Sequence, residues 1–163
     1  LTKPIVLTGG DLQLIFEWHG DRYAHRVSVR DQGVDRPWLA SLEATDESHW
    51  PASPPLQQVH VESRSGGIVV ALAVGMAGRS HWSAAFELDP NVQRIACDVA
   101  CRVTVAAEQL GSAYRVSPLA GWSVSPHDDA VLNAQGELIA IQPRVCPSTA
   151  PATIRWRYQL LRQ

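Results

Sequence analysis

Leu12-Gln13-Leu14-Ile15-Phe16-Glu17-Trp18-His19-Gly20-Asp21-Arg22-Tyr23-Ala24-His25-Arg26-Val27-Ser28-Val29 is the stretch that decides the fold. Apolar side chains take every second place on both sides of Gly20-Asp21: Leu12, Leu14, Phe16 and Trp18 before it, Tyr23, Val27 and Val29 after it. A period of two describes a strand with one buried face. A Gly-Asp pair between two such runs describes a tight hairpin. With those two residues as the loop, Trp18 stands opposite Tyr23, Phe16 opposite His25 and Leu14 opposite Val27. Every large apolar residue except Ile15 then falls on one side, with His25 among them, while Glu17, Arg22, Arg26 and Arg30 fall on the other. A slip of one residue would invert both faces, so the register is well specified.

The same alternation recurs outward from this hairpin, in Trp82, Ala84, Phe86 and Leu88, in Ile95 through Val105, and in Ile154, Trp156, Tyr158 and Leu160. Ile68 to Val74 is a continuous apolar run, which reads as a central strand covered on both faces. Shorter strands are expected at 38–44, 56–62, 114–116, 122–124, 131–132 and 138–141, and Ala106 to Leu110 is the one candidate helical turn. Asp31 to Pro37, Asp46 to Pro55 (after Thr45, which ends the strand before it) and Pro143 to Pro151 read as loops, where proline fixes φ and withdraws a donor. Residues 1–163 are therefore expected to form one all-β domain, an antiparallel β-sandwich of about a dozen short strands, with a closed β-barrel as the second architecture.

Composition excludes more than it identifies. A formal net charge of −2 argues against a nucleic-acid-binding surface, which needs concentrated positive charge. The longest apolar run is too short to span a bilayer, so no membrane association is expected. Cys97, Cys101 and Cys146 are an odd set, and two of them lie four apart on one strand, roughly 13 Å at strand rise, too far for a mutual disulfide. Free thiols lean toward a reducing, cytoplasmic compartment. No Gly-rich phosphate loop, nucleophile elbow, H-E-x-x-H or paired C-x-x-C is present, and no cofactor is expected.

Three groups remain as candidates. If the turn after Asp89 joins neighbouring antiparallel strands, Ala85 faces Asp98 and His81 faces Arg102. His81, Asp98 and Arg102 would then share a face with small residues (Ala85, Ala96, Ala100), as an acid–base cleft or as a cross-strand charge pair. The loops holding Asp46, Glu47 and His49, and His127, Asp128 and Asp129, carry oxygen and imidazole groups, yet match no metal-loop spacing, so no metal is expected. Of six tryptophans, Trp18, Trp82 and Trp156 sit in apolar alternation and read as core. Trp38, Trp50 and Trp122 stand beside proline, glycine or loop residues, where exposed rings stack on sugars or else plug the ends of a sandwich. His25 on the apolar face reads as a core histidine whose ring nitrogens find a backbone partner, with a general base lining a pocket as the other reading.

In Trp50-Pro51-Ala52-Ser53-Pro54-Pro55-Leu56 and Gly75-Met76-Ala77-Gly78-Arg79-Ser80-His81-Trp82 the chain resembles a family of bacterial, planctomycete-type proteins without an assigned function. That resemblance implies no activity and transfers no catalytic residue. A looser likeness to sugar-binding sandwich and mutarotase-like folds concerns architecture alone. The sequence thus points to a non-catalytic binding or interaction domain, with carbohydrate as ligand at Trp38, Trp50 and Trp122. A sugar-modifying or isomerising enzyme using His81, Asp98 and Arg102 is the second reading. A self-assembling structural module, joined by a strand edge or the small-residue face, is the third.

Overall fold

The computed structural model describes residues 2–44 and 47–163; Thr45 and Asp46, named above in a strand end and a candidate acidic loop, lie outside the described residues. The strands are β1 (Ile5–Gly9), β2 (Leu12–Trp18), β3 (Tyr23–Asp31), β4 (Val34–Ser41), β5 (Gln58–Ser63), β6 (Val69–Ala77), β7 (Ser80–Asp89), β8 (Arg94–Val103), β9 (Ser112–Val116), β10 (Trp122–Pro126), β11 (Ala130–Gln135), β12 (Leu138–Pro143) and β13 (Ala152–Arg162). They form two antiparallel sheets that do not close into a barrel. One runs β1-β2-β3-β4-β9-β12-β11, the other β10-β13-β8-β7-β6-β5. The sandwich is the architecture that the alternation implies.

The deciding hairpin has the expected register: Trp18 pairs with Tyr23, Phe16 with His25 and Leu14 with Val27. Its inner face joins the other inner residues, among them Leu88, Ile95, Cys97, Val99, Trp156 and Tyr158, in one core drawn from both sheets. Full burial of such large side chains is each sheet's main stabilisation, roughly 1.5–3 kcal/mol per aliphatic or Phe side chain.

Several expectations are corrected. Ile5–Gly9 is a strand the alternation did not reveal, because only Ile5, Leu7 and Gly9 face inward. The loop expected at Asp31 to Pro37 is instead a two-residue turn at Gln32-Gly33, both with positive φ, and β4 begins at Val34. Ala106 to Leu110 is not helical; the one helical turn among the described residues is a 3-10 turn at Ser65–Gly67. Trp18 is 37% exposed, because β2 runs past the rim of the core, where the ring packs edge-on against Tyr23. Arg22 is buried rather than solvent-facing, its Nη2 2.8 Å from Asp21 Oδ2.

The apolar run at Ile68 to Val74 is not covered on both faces. It enters β6, one strand in from the edge, whose outer face is bare at Leu72 (38% exposed), Val74 (47%) and Met76 (47%). Cys97 and Cys101 are buried, Cys146 is exposed, and all three are free thiols. No helix of the described residues is long and apolar enough to cross a membrane.

Candidate functional site

The outer face of the six-stranded sheet holds two adjoining depressions, of about 420 and 670 Å³. Gln58, Val74, Ser83 and Ala100 line both, so the two form one trough. Its shape follows from side-chain size. Strand pairing sets Leu72 beside Ala85 and Val74 beside Ser83, then Ala85 beside Asp98 and Ser83 beside Ala100. The long side chains of β6 therefore stand as one wall over a floor of Ser83, Ala85 and Ala100. Asp98 and Arg102 of β8, with Thr153 of β13, which pairs with Arg102, line the other side.

The connection before β5 shapes one end. Gln57 acts as a surrogate strand: its Nε2 donates to Met76 O at 3.1 Å and its Oε1 accepts from Met76 N at 3.0 Å. Below, Pro55 passes so close to Gly75 that a Cβ there would lie 1.5 Å from Pro55 O. Ser53 ties the same connection to the other sheet, donating through Oγ to Ala113 O at 2.9 Å.

His81 does pair with Arg102, and Ala85 with Asp98, as the sequence indicated. The acid–base cleft does not form. Arg155 Nε donates to Asp98 Oδ1 at 2.8 Å and its Nη2 to Oδ2, so both carboxylate oxygens are engaged. That guanidinium holds the Asp98 carboxyl below its ordinary pKa, the opposite of what a proton donor needs. Arg102 Nη1 donates to Thr153 Oγ1 at 3.3 Å. Asp98 and Arg102 are four residues apart on one strand, roughly 13 Å, and no hydrogen bond joins any two of the three among the described residues. They form a row along the trough rather than a convergent centre.

The tryptophans are likewise dispersed. Trp38 is 3% exposed, which removes it from any stacking surface. The cause is a β-bulge: Val27 pairs with Leu39 and Ser28 with Pro37, leaving Trp38 as the extra residue, so it and Leu39 both turn inward. Its ring lies 5.7 Å from that of Trp122, which is half-buried and covered by Arg162, Cζ to ring centroid 5.9 Å. Trp50 is half-buried and packs edge-on against Trp82 at 6.4 Å. Trp122 pairs with Arg162, next to Leu161, which pairs with Arg94, and Arg94 pairs with Asp89 at the far end of β7 from Trp82. Trp50 and Trp122 therefore close opposite ends of the sandwich.

One of the loop acids is engaged as well. Asp129 accepts from Arg157 Nε at 2.7 Å and from Arg157 N at 3.0 Å. Among the described residues no group of three His, Cys, Asp or Glu side chains is placed to hold a metal.

A buried polar chain, only partly visible in sequence, runs between the sheets. His25 Nε2 lies 2.8 Å from Tyr114 Oη, and Tyr114 Oη lies 2.6 Å from Tyr158 Oη. The partner of His25 is thus a side chain rather than backbone. Burial among Phe16, Phe86 and Tyr114 lowers the His25 pKa to about 4, so the ring is neutral. Nearby, burial raises the Glu43 carboxyl to about 7, Arg22 and Ser41 pulling the other way. Nothing in the alternation marks Glu43, which follows β4 in a connection. His25, Tyr114 and Tyr158 do not line the trough, and the chain reads as a core network.

No family model, curated protein or solved structure matches the chain.

Proposed function

We propose that the protein is a non-catalytic interaction domain whose working surface is the trough on the outer face of the six-stranded sheet. One observation carries this reading: three large aliphatic side chains, Leu72, Val74 and Met76, stand bare in a line on one strand above a floor of alanine and serine. Contiguous apolar surface with a polar rim marks recognition sites on soluble domains. An extended peptide of another protein fits best. Its apolar side chains would lie against Leu72, Val74 and Met76, and a carboxylate would meet Arg102, which has only the Thr153 hydroxyl as partner among the described residues.

Carbohydrate is the second reading, supported by the hydrogen-bonding side chains Gln58, His60, Ser83 and Thr153 around the trough. It is weaker because no aromatic ring lines the trough except the buried Trp82, and Trp38, Trp50 and Trp122 are engaged in end-packing. Selection of extended peptides from a displayed library, with a glycan array in parallel, separates the two. The selected ligand should shift backbone amide resonances of Ser83, Ala85 and Ala100, and Leu72→Asp should abolish binding with the fold intact. Ligands that shift only distant amides, or none from either library, would reject the trough as the working surface.

A further inference from the structure

The six-stranded sheet ends at β5, and the geometry points to β5 as the seam of a two-fold symmetric dimer of this chain. The inference does not depend on what occupies the trough. In the β5–β6 ladder residue pairs sum to the same register throughout, from Gln58 with Val74 to Ser63 with Val69. Arg64 N donates to Ile68 O at 2.8 Å in that register, which fixes the phase. Hydrogen-bonded pairs alternate along an antiparallel ladder. Gln58, His60 and Glu62 thus bond to β6, and Val59, Val61 and Ser63 aim their N–H and C=O groups away from the sheet.

Edges of this kind are normally protected by proline, lysine or a covering segment. β5 contains no proline and no lysine. By contrast, β1 follows directly on Lys3-Pro4, and β10 ends in Pro126. β11 is also free of both and of charge, but nothing in its Ala130–Gln135 sequence is complementary to itself.

β5 is self-complementary. Set antiparallel to a second copy with Val61 on the two-fold axis, Val61 faces the partner's Val61, and Val59 faces the partner's Ser63. Every outward N–H and C=O then finds a partner. On the outer face His60 lies opposite the partner's Glu62, twice by symmetry, in the non-hydrogen-bonded positions where side chains approach closest. Gln58 lies opposite the partner's Arg64. Within one chain His60 Nε2 already sits 3.4 Å from Glu62 Oε1, so the side chains that would meet across the seam share a face. Val61, on the inner face yet 37% exposed, would be covered by its own counterpart. The dimer would be one continuous twelve-stranded sheet, two of six. Gln58 and His60 line the trough, so the two troughs would meet at the seam.

Sedimentation velocity over a wide concentration range tests this. The wild-type chain should show a reversible monomer–dimer equilibrium. Val61→Pro should be monomeric with an unchanged circular dichroism spectrum, because the Val61 N–H does not serve the β6 ladder. His60→Glu, which leaves the backbone alone, should weaken the dimer by about tenfold by opposing like charges at two places, and adding Glu62→Arg to it should restore association. A wild type that stays monomeric throughout overturns the inference. So does a dimer that His60→Glu leaves unchanged, even if Val61→Pro fails to fold.

Discussion

Replacing Glu43 by glutamine should convert a nearly flat pH–stability profile into a rising one. The folded protein holds the Glu43 proton up to about pH 7, whereas the unfolded chain releases it near the ordinary value of 4.5. Across that window the folded state binds more protons, so this residue makes stability fall as pH rises. His25 acts in the opposite sense. Its folded value is about 4 against an ordinary 6.5, so between those values the unfolded chain binds a proton that the folded state refuses, and stability rises with pH. At 1.36 kcal/mol per pH unit each window is worth ~3 kcal/mol. From about pH 4.5 to 6.5 the two slopes cancel. Glu43→Gln removes one of them: the variant should match the wild type near pH 4 and exceed it by ~3 kcal/mol at pH 8. Its own profile should climb by a similar amount through the titration of His25. Asp21, Asp35 and Asp98 are all held below their ordinary pKa, so they act at lower pH and equally in both proteins. Urea unfolding followed by tryptophan fluorescence, at several pH values from 4 to 8, measures the difference directly. Parallel profiles for variant and wild type would show that the Glu43 carboxylate is ionised without penalty, and the argument from burial would fail.

Tyr114→Phe should cost roughly 1–3 kcal/mol in the same unfolding assay, because it strands both the His25 ring nitrogen and the Tyr158 hydroxyl in the core. Gly75→Ala should cost more than ~2 kcal/mol or prevent folding, since its methyl group would overlap a backbone oxygen rather than a movable side chain. Asp98→Asn, by contrast, should change stability by less than ~1 kcal/mol, because its ion pair with Arg155 is substantially exposed to solvent; a larger loss would indicate a role for Asp98 beyond the pair.

What the sequence disclosed, and what it did not, follows the range of the interactions. The β2–β3 register was readable because alternation on both arms and the Gly20-Asp21 turn constrain the same few residues. The β7–β8 pairing was readable for the same reason, which is how His81, Ala85, Asp98 and Arg102 came to be placed correctly relative to one another. The partner that decides their chemistry was not readable. Arg155 reaches Asp98 only because β13 docks beside β8, and no local signal specifies that neighbour. The neighbouring Pro37 left Trp38 open between a stacking ring and an end plug, and the bulge in the β3–β4 ladder that turns it inward has no local signal. The bare face of β6 was hidden by its own composition: a run of β-branched and aliphatic residues looks alike whether one face or both are covered.

The place of β13 between β8 and β10 also has a consequence for how the polypeptide is made. The ribosome completes β8 about fifty residues before it begins β13, an interval of several seconds at ~5–20 residues per second. Throughout that interval the flank of β8 that will receive Trp156 and Tyr158 has no neighbour, and β10, once made, has no sheet to join. Until β13 is made, the nascent chain thus carries an open docking slot for it, with exposed backbone donors and acceptors along β8.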